Sequence, residues 1–263
     1  MDKLAVSEMF LSLQGEGQTM GRPSFFIRLS GCNLTCGVTR ETLRQAKRGN
    51  WSQNLIDDQK KEEATWVCDS ISVWMKGKQI SFQDIIDELN EKYEFINRLK
   101  DGTHLIITGG EPLLQQNAIE KFIKYIKREY KVTATIEIET NGTITPSSNL
   151  NKLVDYWNVS PKLTNSGMSY SSRCNEAAIK SHNSNPNSIF KFVIENENDW
   201  LEIMNEWMGG LNVDPHKVWL MPAASNIGEL MEHNKTVAEI AIKYNVNCST
   251  RLQVEFWNQT VGV

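Results

Sequence analysis

No apolar run in this 263-residue chain approaches the roughly 20 residues that a membrane-spanning helix requires. The N-terminal stretch MDKLAVSEMFLSLQGEG has no basic segment leading into an apolar one. It does not read as a signal peptide, so a cytoplasmic location is expected, with no membrane partner. No strand-like segment is followed by G-x-G-x-x-G, which removes the dinucleotide-binding fingerprint. Internal repeats and low-complexity tracts are absent as well. Positive charge is not in excess: the formal net charge is -4, which weighs against nucleic acid as the main partner. The 4 histidines, His104, His182, His216 and His233, are scattered without ligand spacing. Cysteine is sparse and odd in number, 5 in all, which argues against a secreted disulfide framework. In a reducing compartment, clustered cysteines point instead to metal binding or redox chemistry.

What is present is ordinary for a globular protein: 40% hydrophobic and 23% charged residues. The length suits a single α/β domain spanning residues 1–263. Short apolar runs at Ser24–Leu29, His104–Thr108, Thr133–Glu139, Tyr156–Ser160, Ile189–Ile194 and Val218–Met221 read as buried strands. Helical spacing marks Ser81–Lys100, Leu113–Tyr130, Asn198–Met208 and Ser225–Tyr244, with Ser81 placed as an N-cap. Alternating strands and helices predict parallel βαβ units. A β/α barrel, complete or partly open, fits that alternation, and a doubly wound sheet is its competitor. The polar, densely charged segment 37–67 interrupts the pattern and is too long for a routine connection. It is expected to hold one or two surface helices, with Leu43, Trp51, Leu55 and Ile56 packing down. It reads as a tolerated surface insertion, or alternatively as a lid or dimer contact.

The strongest chemical signal is Gly31-Cys32-Asn33-Leu34-Thr35-Cys36, directly after an apolar strand. Two thiols on one loop can reach a single iron–sulfur cluster, and a thiolate from Cys68 would complete a set of three. Such a set leaves one iron open to a chelating small molecule. The competing reading is zinc, which usually takes four ligands. Cys174 and Cys248 stand alone and read as small hydrophobes. Thr108-Gly109-Gly110-Glu111-Pro112 ends another strand, where glycines let the backbone approach a ligand and Glu111 can accept from an ammonium. A plain strand-to-helix turn with Pro112 near its first position is the alternative. Gln14-Gly15-Glu16-Gly17 places an amide and a carboxylate on a glycine-rich loop. Arg28 on the next strand can clamp a carboxylate, or else pair with Glu8 or Glu16.

The runs Ser7–Gly17, Gly21–Leu29, Gly31–Cys36, Thr108–Leu113, Glu139–Thr143, Ser160–Lys162 and Lys191–Ile194 together resemble the radical S-adenosylmethionine superfamily. Within it they resemble the 7-carboxy-7-deazaguanine synthase family of the route to queuosine and related 7-deazaguanines. The resemblance covers most of the chain and fades in the insertion and over the last 40 or so residues. It implies a partial, open β/α barrel of the radical S-adenosylmethionine type, with the insertion inside the cluster-binding loop. It implies a [4Fe–4S] cluster on Cys32, Cys36 and Cys68. S-adenosylmethionine would lie on Val67, Asp69, Gly109, Gly110, Glu111, Asn141, Ser160, Pro161 and Lys162. Mg²⁺ would sit at Ser70, where the family usually has Thr.

The implied substrate is 6-carboxy-5,6,7,8-tetrahydropterin, touching Leu13, Gln14, Gly15, Glu16, Arg28 and Thr108. Hydrogen abstraction and ring contraction with loss of ammonia would convert it to 7-carboxy-7-deazaguanine. The implied partners are a reductant such as a flavodoxin and a second copy of the chain in a homodimer. The superfamily's common spacing is C-x3-C-x2-C, whereas 31 residues separate Cys36 from Cys68 here. Trp66-Val67-Cys68-Asp69-Ser70 restores the pattern expected around a third ligand, and loop-closure cost grows only slowly with length. The C-terminal His and Pro of the family have no clear counterpart, with Arg251 or Gln253 as candidate substitutes. Two other readings stay open: a radical enzyme that activates a partner protein, and a non-catalytic metal-binding module.

Overall fold

Side chains of alternating character along the strands give the sheet two unlike faces. The computed structural model describes residues 2–258 and 260. Among them the strands are β1 (Lys3–Leu13), β2 (Pro23–Leu29), β3 (Lys78–Ser81), β4 (His104–Gly109), β5 (Ile136–Thr140), β6 (Tyr156–Val159), β7 (Ser188–Ile194), β8 (Val218–Pro222) and β9 (Asn247–Cys248). They form one sheet in the order β3-β1-β2-β4-β5-β6-β7-β8-β9. β1 runs antiparallel to both β2 and β3, and every pairing from β2 through β4 to β9 is parallel. β3 and β9 are the two edges, so the sheet is open rather than closed into a barrel.

One face is almost entirely apolar. Phe25, Ile27 and Leu29 of β2, Leu105 and Ile107 of β4, Ile136 and Ile138 of β5, Trp157 and Val159 of β6, and Phe190, Phe192 and Ile194 of β7 belong to the main core. Helix residues such as Ile85, Leu89, Ile119, Phe122 and Ile126 pack onto them. Each such side chain contributes about 1.5–3 kcal/mol when fully buried. The other face alternates with the first and is far more polar: Arg28, Thr108, Glu137, Glu139, Asn158 and Lys191 occupy it, with Phe26 and Ile106 beside Phe10 in a small apolar cluster.

The expected elements are present, with corrections. The strand read at Thr133–Glu139 begins only at Ile136 and runs to Thr140. β1, β3 and β9 escaped the sequence pattern; β1 is long, mixed in character and largely half-exposed. The helix read over Ser81–Lys100 is two helices, Phe82–Tyr93 and Phe95–Lys100, broken at Glu94, which sits at φ 57. Ser81 does cap the first, accepting from the Asp84 N–H at 3.1 Å. The helix read from Leu113 starts as a 3₁₀ turn over Pro112–Gln115 before Gln116–Tyr130. That over Asn198–Met208 passes from α (Glu197–Glu202) to π geometry (Ile203–Gly210). No helix among the described residues is long and apolar enough to cross a membrane.

Segment 37–67 holds two helices, Arg40–Gly49 and Gln53–Asp57. Ala46 and Ile56 are buried, and Leu43 and Trp51 pack against the same small cluster with Val38, Ile71, Trp74 and Met75. Leu55 does not pack down: it lies on the outer side of its short helix and is 52% exposed.

His182, on the helix Glu176–Ser184, is fully buried against Trp157, the two rings meeting edge to face at 5.1 Å. Neither ring nitrogen has a partner among the described residues. Burial pushes its pKa down from 6.5 to about 4, and the nearby Lys217 charge acts in the same direction. The unfolded chain therefore binds this proton at a higher pH than the folded one, and stability falls as pH drops from 6.5 towards about 4. The loss from this group is about 3 kcal/mol. His182→Leu is expected to flatten that part of the stability–pH curve, read by denaturant unfolding at a series of pH values. An unchanged slope would contradict the assignment.

Candidate iron–sulfur site

The cysteine loop leaves the end of β2 and is fastened on three sides. Gly31 donates its N–H to the Trp74 carbonyl at 3.0 Å and accepts at its own carbonyl from the Glu111 N–H at 2.9 Å. The Cys32 thiol accepts from the Leu34 N–H at 3.4 Å. The Cys68 N–H donates to the Cys36 carbonyl at 3.2 Å. This last bond brings the third cysteine against the second despite the 31 residues between them. The insertion's base is pinned again by Lys61 N–H to the Gly37 carbonyl at 2.8 Å, and by Gly37 N–H to the Ser166 carbonyl at 2.8 Å. Cys174 and Cys248 take no part in this loop.

The donor set fits a cluster. Cys36 is buried, and Cys32 and Cys68 are half-buried. Burial pushes the Cys36 thiol up to about 12, and the nearby Cys68 charge adds to it while Lys162 opposes it. Burial pushes Cys32 up as well, with Cys68, Cys36 and Glu111 all raising it further. Cys32 and Cys36 are therefore held as neutral thiols, and iron would displace their protons on binding. Among the described residues no three His, Cys, Asp or Glu side chains are set for one metal ion. A cubane spreads its protein ligands over separate irons, so thiols that share a cluster need not converge on one point.

The loops at the C-terminal ends of β4, β5 and β6 join this corner. Gly109 (φ 150) and Gly110 are there because the chain runs close: a Cβ on Gly109 would meet the Leu29 carbonyl oxygen at 2.3 Å, and one on Gly110 the Gly31 carbonyl oxygen at 2.3 Å. Glu111 is fully buried. Its carboxylate accepts from the Leu113 N–H at 2.9 Å, the Thr140 hydroxyl at 2.8 Å and the Asn141 N–H at 2.7 Å. Burial raises its pKa, while the Asn141 and Leu113 N–H groups pull the other way. Asn141 donates from its side chain to Asn33 at 2.9 Å, tying the β5 loop to the cysteine loop. Ser160 donates its N–H to the Thr140 carbonyl at 2.7 Å, and Lys162 Nζ donates to the Ser160 hydroxyl at 3.0 Å. Pro161 stands between them. Val67 packs beside Cys32 and Cys68, and the Ser70 hydroxyl lies 3.4 Å from the Cys68 thiol.

Leu13 is placed differently. β1 is antiparallel, so Leu13 pairs with Pro23 at the start of β2, the far end of the sheet from Cys32. From there Gln14–Gly17 runs over the polar face. The Gln14 amide is buried and donates to Glu137 at 2.5 Å and Glu139 at 3.2 Å, while its carbonyl accepts from the Glu16 N–H at 3.2 Å. Asn158 donates to Glu137, Thr19 donates to Glu137 at 2.6 Å, and Thr108 donates to Glu139 at 2.8 Å. The Glu16 carboxylate is held by Lys191, by Arg251 Nε at 3.0 Å and by Gln253 Nε2 at 2.6 Å. Burial alone would raise Glu16, but the Lys191 ammonium and the Arg251 guanidinium outweigh it and hold the carboxyl far below the usual range. The Gly15 carbonyl accepts from the Leu252 N–H at 3.0 Å. Arg251 also donates to Asp69 at 2.8 Å, which joins the corner around Glu16 to the residue after Cys68. Arg28 pairs with Glu8 at 2.6 Å, not with Glu16.

Glu137, Glu139, Asn158 and Lys191 were not singled out from sequence as site residues. The signal was there in Ile136-Glu137-Ile138-Glu139-Thr140: a strict period of two puts both carboxylates on one face of a strand whose other face is core.

An open α/β sheet with three cysteines gathered beside a Gly-Gly-Glu loop defines an iron–sulfur protein of α/β fold. A family model described as "4Fe-4S single cluster domain" matches residues 13–174, more than half of the chain, and the chain belongs to that family. Curated relatives match nearly end to end, and two illustrate them. The 7-carboxy-7-deazaguanine synthase of Pyrobaculum aerophilum is 27% identical, over 99% of this chain and 97% of its own. The enzyme of the same name from Halobacterium salinarum is 28% identical, over 97% and 91%. The crystal structure of QueE from Escherichia coli shares the fold, with a TM-score of 0.58 and 22% identity over 94% of this chain and 93% of that one.

Gly110→Ala is the sharpest local test of this geometry, since its Cβ would also lie 2.8 Å from Cys32 Cβ. It is expected to cost about 1–3 kcal/mol through overpacking. Iron uptake should fall with it, measured by iron analysis after anaerobic reconstitution alongside thermal unfolding. Wild-type values for both would contradict the close approach.

Proposed function

We propose that this chain is a radical S-adenosylmethionine enzyme that converts 6-carboxy-5,6,7,8-tetrahydropterin to 7-carboxy-7-deazaguanine with loss of ammonia, a carbon–nitrogen lyase. The observation that carries it is the meeting of Cys32, Cys36 and Cys68 with the Glu111 and Lys162 loops beside a polar sheet face. The near full-length likeness to curated synthases supports it.

Cys32, Cys36 and Cys68 hold the [4Fe–4S] cluster. With S-adenosylmethionine bound, the cluster supplies hydrogen-abstracting chemistry. Gly109, Gly110, Glu111, Asn141, Ser160, Pro161, Lys162, Val67 and Asp69 bind S-adenosylmethionine. Glu111 suits its ammonium, because a carboxylate has about four acceptor positions and the chain uses three of them. Leu13, Gln14, Gly15, Glu16, Arg28 and Thr108 form the pterin side. The Gln14 side chain is committed to Glu137 and Glu139, so it orients the loop and leaves backbone groups and Glu16 to face the ligand. Glu16, kept ionised by Lys191 and Arg251, is an acceptor for the amide-like edge of a pterin. The Ser70 hydroxyl is the protein ligand for Mg²⁺, which keeps most of its waters. The working form is a cytoplasmic homodimer that takes electrons from a reductant such as a flavodoxin.

Reduced, reconstituted protein incubated with S-adenosylmethionine and the pterin is expected to yield 5′-deoxyadenosine and 7-carboxy-7-deazaguanine. 5′-Deoxyadenosine without any pterin product would favour an activase acting on a protein. Zinc in place of iron, with neither product, would favour a non-catalytic module. Cys68→Ala is expected to abolish both products, and a variant retaining them would show that the third ligand is another residue.

A further inference from the structure

The insertion does more than close between Cys36 and Cys68: one of its side chains grips the loop that carries the third cysteine. Gln53, the first residue of the helix Gln53–Asp57, is half-buried. Its Nε2 donates to the Cys68 carbonyl at 2.9 Å and to the Asp57 carboxylate at 2.7 Å. Its Oε1 accepts from the Ser72 N–H at 3.2 Å. Both ends of the amide are used, and two of its bonds straddle Cys68-Asp69-Ser70-Ile71-Ser72.

The second contact changes what Ser70 is free to do. Ser70 sits at the N-cap of the helix Ile71–Trp74, yet its side chain makes no capping bond. A serine in that place ordinarily spends its hydroxyl on the second or third N–H of the helix. Here the second of those N–H groups, on Ser72, is already satisfied by Gln53. The Ser70 hydroxyl turns instead towards the Cys68 thiol at 3.4 Å. The same corner is sealed by apolar contacts, since Cys32 and Cys68 pack against the cluster of Val38, Ala46, Ile56, Ile71, Trp74 and Met75, three of which lie in 37–67.

We infer that Gln53 is a positioning residue for the iron–sulfur site: it fixes the Cys68 backbone and takes over the helix cap, which leaves the Ser70 hydroxyl turned towards the Cys68 thiol. The inference rests on the reading of Cys68 as the third cluster ligand. It gives the insertion a role as the outer support of the site.

The test uses the full-length reconstituted protein and measures the rate at which a chelator strips its iron. A second readout is the electron paramagnetic resonance spectrum of the reduced protein, with and without S-adenosylmethionine. Gln53→Leu removes both contacts and is expected to speed iron loss about 10–100-fold, the usual effect of losing a side chain that orients a metal ligand. Its spectrum should shift as well. Gln53→Glu keeps the acceptor for Ser72 and loses the donor to Cys68, so it should also lose iron faster; it gives the answer if the leucine variant does not fold. Leu55→Ala, on the exposed side of the same helix, should match wild type. Wild-type stripping rates and spectra in both Gln53 variants would overturn the inference. A Cys68→Ala protein that still holds a complete cluster would instead overturn the reading beneath it.

Discussion

The hydrogen bond from the Cys68 N–H to the Cys36 carbonyl is the constraint on which the site depends. Without it, Cys68 hangs on a long charged excursion, apart from Cys32 and Cys36. With it, a chain excursion of 31 residues becomes a closed loop whose ends are as close as neighbouring strands. The entropic cost of closing so long a loop rises only with the logarithm of its length, so a few well-placed contacts suffice. The structure supplies them in a ladder: Gly37 to Ser166, Lys61 to Gly37, Thr65 to Asn165, and the bridge of Ala64 with Ser166. The buried faces of two short helices then seat the loop on Trp74 and Met75.

The other half of the site is electrostatic. A parallel sheet is usually apolar on both faces because helices cover both. Here one face carries Glu137, Asn158 and Lys191 buried and Glu139 half-buried, and its charges are tolerable there because they are hydrogen-bonded or ion-paired. Gln14, Thr19 and Thr108 satisfy the carboxylates from the loop and from β4, and Lys191 with Arg251 holds Glu16. Arg251 also reaches Asp69, and the Asp69 carboxyl, which burial would raise, is held below its usual range by that guanidinium. A continuous line of ionic contacts therefore runs from β7 through Glu16 and Arg251 to the residue beside Cys68. Glu16 lies between two cations, so losing either Lys191 or Arg251 still leaves it the other.

Much of this was legible in the chain. Apolar runs such as Phe25–Leu29 and Leu105–Ile107 are strands because they feed a parallel sheet. The Gly-Cys and Gly-Gly-Glu turns stand out because their chemistry needs those residue types. β1 was not legible, since its face alternates weakly and its pairing is made by β2 and β3. The break at Glu94 hides inside a helical pattern, because nothing in that residue type marks a turn, although it takes φ 57 just before the buried Phe95. Arg251 and Gln253 could be named but not placed: their partner, Glu16, lies over 230 residues away in sequence, and only the fold joins them. Gln53 carries no motif at all. Its role follows from the backbone groups that happen to face it.

Under the proposed function, Cys32, Cys36 and Cys68 hold a single four-iron cluster and leave one iron without a protein ligand. Mössbauer spectroscopy of protein reconstituted with ⁵⁷Fe, recorded before and after S-adenosylmethionine is added, tests it most directly. The addition is expected to shift the signal of one iron of the cluster and leave the others as they were. Four irons that respond alike, or a protein that takes up zinc and no cluster, would contradict it.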